Sequence, residues 1–138
     1  MIPIETTIVN RRDELERVSG FVDRVGTEYR LVPDVVADVQ VALDEILTNI
    51  LDYGYTDDRE HEIHIRFQLL GSMLEAVIED DGVPFDPLAS AAPDVSAPLH
   101  ERRVGGLGLH FVKNLMDEVN YNRIGDRNRL VLKKNLTK

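Results

Sequence analysis

Three groups of residues in this chain have side chains and spacings suited to chemistry. The first is Glu45 with Asn49 in Leu43-Asp44-Glu45-Ile46-Leu47-Thr48-Asn49. On a helix they stand one turn apart, about 40° from each other around the axis. A carboxylate and an amide so placed can orient a water or a hydroxyl and hold a hard cation through oxygen. The second is Asp80-Asp81-Gly82, continued by Val83-Pro84-Phe85-Asp86-Pro87. A buried carboxylate there can accept from an exocyclic amine such as that of adenine, and it discriminates against guanine, which presents an oxygen at that place. Gly82 would let the backbone approach a ring with no Cβ between them. The third is Gly105-Gly106-Leu107-Gly108-Leu109, ahead of a short helix from His110 to Met116. Glycine-rich backbone at a helix start offers free amides and partial positive charge to phosphate. Arg102 and Arg103, just upstream, can meet the same charge.

Each group taken alone has an ordinary explanation. Glu45 and Asn49 fit the solvated face of an amphipathic helix. Asp followed by Gly at a strand end is common turn chemistry. A Gly-Gly-x-Gly run is as often a hinge as a phosphate loop. It is not a Walker A sequence, because no Lys-Ser/Thr follows, and it lacks the spacing and preceding strand of a Rossmann turn. Other candidates are weaker. His61 and His64 lie three apart in a strand and point to opposite faces, which disfavours shared metal ligation. Ser19, Ser72, Ser90 and Ser96 sit in no nucleophile-elbow setting. His110 stands where either a structural or a phosphate-side role would fit.

The elements that must position these groups follow from periodicity. Ile2, Ile4, Ile8 and Val9 suggest a first strand, and Asn10 a helix N-cap. Leu15, Val18, Phe21, Val22, Val25 and Tyr29 recur at helical spacing over 11–30. Pro33 and Asp34 open a second helix to about Tyr53, with Pro suited to its first turn. Its apolar face is Val36, Val39, Leu43, Ile46, Leu47, Ile50 and Leu51. Residues 62–70 and 73–79 read as strands joined at Gly71-Ser72, and 119–123 and 129–134 as a closing pair around Gly125-Asp126. Between Pro84 and Arg103, four of the six prolines and Ala89, Ala91, Ala92 and Ala97 break all periodicity. That stretch predicts a long functional loop. The fold class is α+β: a two-layer sandwich with a mixed, mostly antiparallel sheet and helices on one face.

Size and charge narrow the function. With 138 residues the expectation is one domain, 1–138, large enough for its own core. The absence of cysteine excludes disulfides, thiolate metal sites and cysteine nucleophiles, and it fits a reducing, cytoplasmic setting. A net charge of −9 disfavours nucleic acid and anionic membrane surfaces as partners. No run of apolar residues approaches a membrane span, and the first residues lack a signal-peptide start.

The order of the three groups carries more than any one of them. Leu43 to Asn49 resembles the N box of the GHKL (Bergerat-fold) ATPases. Asp80-Asp81-Gly82 with Phe85-Asp86-Pro87 is similar to their first glycine box, and Gly105 to Leu109 to their second, with an ATP lid at about 84–104. Within that superfamily the chain is similar to the anti-sigma-factor serine/threonine kinases of bacterial partner switching, from the first helix through Leu115-Met116-Asp117-Glu118-Val119-Asn120-Tyr121 to the last strand. The resemblance implies that Glu45 is the catalytic base and Asn49 the Mg²⁺ ligand. It implies that Asp80 reads adenine beside Gly82. Gly105, Gly106, Leu107, Gly108 and Leu109 would wrap the ATP phosphates, and Arg102 would meet the γ-phosphate. It further implies a sigma factor and a STAS anti-anti-sigma protein as partners, and a homodimer formed through the first strand and first helix. The alternative is an ATP-binding regulatory module that sequesters a partner with little or no chemistry. A detached sensor histidine-kinase domain is disfavoured, because no phosphoacceptor histidine sits on a helical hairpin upstream. Tyr53 departs from the His usual in these kinases, and Asp52 and Asp81 add negative charge near a polyphosphate.

Overall fold

The structure is a computed structural model that describes residues 2–84 and 112–137. Alternation in Ile4, Ile8, Ile63, Ile65, Phe67, Leu74, Ala76, Ile78, Leu130 and Leu132 puts one apolar face on each of four strands, and all of these side chains are buried. The strands are β1 (Ile4–Val9), β2 (Glu62–Leu70), β3 (Met73–Asp80), β4 (Glu118–Ile124) and β5 (Arg127–Asn135). They form one sheet in the order β1-β2-β3-β5-β4, and every pairing is antiparallel. Gly71 and Gly125 turn the two hairpins with φ of 62° and 61°, a conformation that costs a residue with a Cβ but not glycine.

Among the described residues, α1 (Leu15–Glu28) and α2 (Pro33–Tyr53) cover the apolar face of the sheet, and Val112 and Met116 join the same core. From α1, Val18, Phe21, Val22 and Val25 point inward; from α2, Val39, Ala42, Leu43, Ile46 and Leu47 do so. Both sets join one core with the strand residues. Phe21 of α1 meets Phe67 of β2 with ring centroids 5.8 Å apart, tilted by 53°, a favourable aromatic geometry. Just beyond α1, the buried Tyr29 hydroxyl lies within hydrogen-bond distance of the carbonyls of Ile2 (2.8 Å) and Phe67 (3.1 Å), which share its one proton. It thereby fixes the helix end against β2 and the residues leading into β1.

The start of the first helix differs from expectation. A 3-10 turn, Arg12–Glu14, precedes α1, and Asn10 caps neither. Its Oδ1 instead accepts from the His61 amide (2.8 Å), while its own amide donates to the His61 carbonyl (3.0 Å). Asn10 thereby continues the β1–β2 pairing one residue past the ladder, which satisfies more backbone than a cap would. The second helix, the 71–72 hairpin and the closing strand pair stand as expected. The 84–104 stretch lies outside the described residues apart from Pro84.

Candidate functional site

Asn49 is the most informative side chain of α2. It was expected on the polar face with Glu45, yet it is only 3% exposed. The 39, 42, 46, 49 row follows the helix repeat, so Asn49 ends the line of Val39, Ala42 and Ile46 that faces the sheet. Its Nδ2 donates to the Glu45 carbonyl one turn back (2.7 Å), but its Oδ1 is buried without a hydrogen-bond partner among the described residues. An unsatisfied buried acceptor costs about 1–3 kcal/mol, so this oxygen calls for a partner beyond the described residues. Glu45 is half-buried one turn away. The donor set fits a hard cation: a neutral amide oxygen, fixed by its own Nδ2 bond. No group of three or more His, Asp or Glu among the described residues is arranged to hold a metal. A single amide oxygen is a ligand type that Mg²⁺ accepts, since this cation uses few protein ligands and completes its shell with water and phosphate.

The last turn of α2 runs directly into the second group. The Gly54 carbonyl, just past the helix, accepts from the Val83 amide at 2.7 Å. A Cβ on Gly82 would stand 2.3 Å from that same carbonyl oxygen. Glycine at 82 is thus demanded by the crossing of α2 and the β3 exit, a reason internal to the protein. Asp80 ends β3 on the inward face and is 4% exposed. Its Oδ1 accepts from the Gly82 amide (2.8 Å) and from Asn128 Nδ2 (3.0 Å); among the described residues Oδ2 receives no hydrogen bond. Burial pushes the Asp80 carboxyl above the usual range, and these two bonds pull it partly back. The result is a fixed carboxylate whose Oδ1 is committed to Gly82 and Asn128.

Asn128 is a site residue absent from all three motifs. It sits on β5 directly opposite Asp80 in register. Beyond Asp80, its Nδ2 reaches the Val83 carbonyl (2.8 Å), and its Oδ1 accepts from Tyr121 and from Arg123 Nη1 (3.2 Å). Arg123 Nη1 also donates to the Gly82 carbonyl at 2.7 Å. Strands β4 and β5 thus hold the Asp80–Val83 turn from behind. A signal existed: Asn128 shares the inward parity of Leu130 and Leu132, as Asp80 shares that of Ala76 and Ile78, and polar residues at buried parity need each other.

The extra acid near this site is neutralised within the fold. Asp52 pairs with Arg12, and Asp81 Oδ1 lies 3.0 Å from His61 Nδ1. Of the two histidines, His61 precedes β2 rather than lying in it, and His64 Nδ1 bonds the Thr7 hydroxyl at 2.9 Å. Of the predicted site, Asp80 and Gly82 lie where the end of α2 meets the β3 exit, Asn49 lies a little over one turn before that end, and Glu45 lies one turn further back. Asn49 lies five residues, about 7.5 Å along the axis, before Gly54. Arg102, Gly105, Gly106, Leu107, Gly108 and Leu109, with His110, lie outside the described residues.

Residues 8–134 match the histidine kinase-like ATPase domain, and the chain belongs to that family. Among curated proteins it is similar to the serine-protein kinase RsbW of Bacillus subtilis (33% identical over 108 residues, 74% of this chain and 64% of that one). It is also similar to the serine-protein kinase RsbW of Halalkalibacterium halodurans (35% over 106 residues, 74% and 62%). The chain spans less than two thirds of the length of these relatives. A crystal structure of the RsbU and RsbW domains of a Mycobacterium tuberculosis protein superposes over 98% of this chain and 32% of that one, with a TM-score of 0.71 at 17% identity. At that identity the match speaks for the fold. No described helix is long and apolar enough to cross a membrane.

Proposed function

We propose that this chain is an ATP-dependent serine/threonine-protein kinase that acts as an anti-sigma factor, binding a sigma factor and phosphorylating a STAS anti-anti-sigma protein. The observation that carries the reading is the orphaned, buried Asn49 Oδ1 one turn from Glu45, at the end of the domain where Asp80 keeps an oxygen for a donor. The similarity to proteins named serine-protein kinases supports the choice of hydroxyl acceptor.

In this reading Asp80 Oδ2 accepts from the adenine amino group, and Gly82 keeps the turn against α2 that presents it. Guanine would set an acceptor against an acceptor and leave a buried carboxylate unpaired. Asn49 would hold Mg²⁺, which neutralises charge on the polyphosphate. Gly105 to Leu109 and Arg102 would enclose the phosphates. Glu45 takes the proton of a protein Ser or Thr hydroxyl as its oxygen bonds the γ-phosphorus. The bond from that phosphorus to the bridging oxygen breaks, and ADP leaves with the electron pair. Such a reaction asks the protein mainly for positioning and electrostatics. A homodimer through β1 and α1, and a cytoplasmic location, complete the proposal.

The test incubates wild type and Glu45→Ala with γ-labelled ATP, Mg²⁺ and lysate of the source organism. One small protein carrying acid-stable label, absent with Glu45→Ala, is the expected result. Label stable to alkali but not acid would replace it with histidine chemistry. ATP binding without any label would favour the regulatory module that sequesters its partner.

A further inference from the structure

His61 belongs to none of the three motifs, yet it is the side chain that joins the loop after α2 to the turn carrying Asp80. Its Nε2 lies 2.7 Å from Asp57 Oδ1 and its Nδ1 3.0 Å from Asp81 Oδ1. Its ring stacks on Tyr55 with centroids 4.3 Å apart and planes 16° apart. Its backbone is tied to Asn10 on both sides. We propose that His61 is a protonated clasp that positions the adenine-binding turn by holding Asp81 against the 54–61 loop, so that nucleotide affinity follows its protonation; this rests on the nucleotide-site reading above.

The argument is one of donors. A carboxylate on each ring nitrogen asks for an N–H on each, and only the imidazolium has two. Loss of one proton leaves one carboxylate facing a lone pair. The charged groups around the ring are Asp57 and Asp81 directly, with Arg59 on Asp57 (3.5 Å) and Arg11 on Glu60 (4.0 Å) beyond them. Asp80 and Arg127 face the stacked Tyr55 from β3 and β5. The balance is acidic, and the Asp57 bond raises the His61 pKa most, with burial opposing and Asp81 adding. When His61 loses its proton, Asp81 regains an unscreened charge next to Asp80, whose carboxyl it already pushes upward. It also loses its anchor, so the turn that fixes the Asp80 oxygen is less well held.

The sign follows. With a raised folded pKa, the clasp is closed below the ordinary histidine range and opens as pH rises through the folded value. Two measurements on the full chain test it. His61 ring resonances followed by NMR across pH 5–9 should titrate above the free-histidine midpoint, and Asp57→Asn and Asp81→Asn should each lower it. Binding of Mg·ADP to wild type and His61→Gln across pH 6–9 should then diverge. The wild type should be about three- to fivefold tighter at pH 6, the scale of one partly exposed ion pair, and the ratio should fall toward one at pH 9, with the ligand's own titration common to both. An ordinary His61 midpoint indifferent to both carboxylates would overturn the clasp. A normal NMR result with parallel binding curves would overturn its positioning role. Absence of Mg·ADP binding by wild type at every pH would instead overturn the nucleotide site, while the resonances still decide the clasp.

Discussion

Replacing Asn128 by Ala removes the side chain on which the Asp80–Val83 turn rests. The change cuts one bond to a carboxylate and one to the Val83 carbonyl, and it strips Tyr121 and Arg123 of their shared acceptor. A hydrogen bond to a charged group contributes about 1.5–3 kcal/mol and a neutral one about 1 kcal/mol, so the loss should be about 3 kcal/mol. In a domain of this size each 1 kcal/mol moves Tm by about 3–4 °C, which gives a drop of about 10 °C. The Asn128 bond also holds the Asp80 carboxyl down against burial. Its loss should therefore protonate Asp80 at higher pH and weaken ATP binding near neutrality. Thermal unfolding and calorimetric titration with Mg·ATP read both effects. Asn128→Asp supplies the control: two facing carboxylates should be worst near neutral pH and recover on acidification, when one of them takes a proton. A Tm for Asn128→Ala within about 3 °C of wild type, with unchanged ATP affinity, would refute the reasoning.

Mg·ATP should raise the wild-type Tm, since ligand at 100 times its dissociation constant adds about 2.7 kcal/mol. Asp80→Asn should lose that shift and Glu45→Ala keep it; equal behaviour would break the division of labour. Burial raises the Asp80 pKa, so its ionised form burdens the fold above that pKa and the burden vanishes below the unfolded value. Apo Asp80→Asn should accordingly be more stable than wild type at pH 7 and no more stable at pH 3, as denaturation midpoints will tell. Asn49→Leu, which removes the orphaned oxygen, should leave the apo protein about 1 kcal/mol more stable while abolishing Mg²⁺-dependent ATP binding; a destabilised apo variant would count against the orphan. Gly82→Ala, whose Cβ would meet a backbone oxygen at 2.3 Å, should cost about 3 kcal/mol in urea unfolding.

The elements were legible because burial writes periodicity into the chain. The alternation Ile63, Ile65, Phe67 and the helical stripe of α1 each admit one solution. Glu45, Asn49, Asp80 and Gly82 were legible because their spacing within each motif is local. What escaped was long-range and polar. Asn128 matters through a partner 48 positions away, and Asn10 through one 51 away, so neither has a neighbour in sequence to announce it. Asn49 was misplaced to the polar face because a buried amide at the end of an apolar row looks, by hydropathy alone, like its solvated neighbour Asp52. The purpose of Gly82 was likewise hidden, since the Gly54 carbonyl that excludes a Cβ comes from another element.

The way β3 is joined to β5 and to Leu115 has a consequence for how such a domain can diversify. On one side Val83 is held by Asn128 of β5. On the other, Lys134 of β5 donates to the Leu115 carbonyl (2.6 Å), and the Asp117 amide bonds the Lys133 carbonyl (2.9 Å). A single strand therefore grips both ends of whatever sequence connects them. The closure entropy of a connection grows only logarithmically, about 0.6 kcal/mol for each doubling of its length. The length of the connection ahead of the buried Val112 can therefore vary at small entropic cost while the strands that anchor it stay fixed, which makes it a natural place for lineages, or protein engineers, to change length.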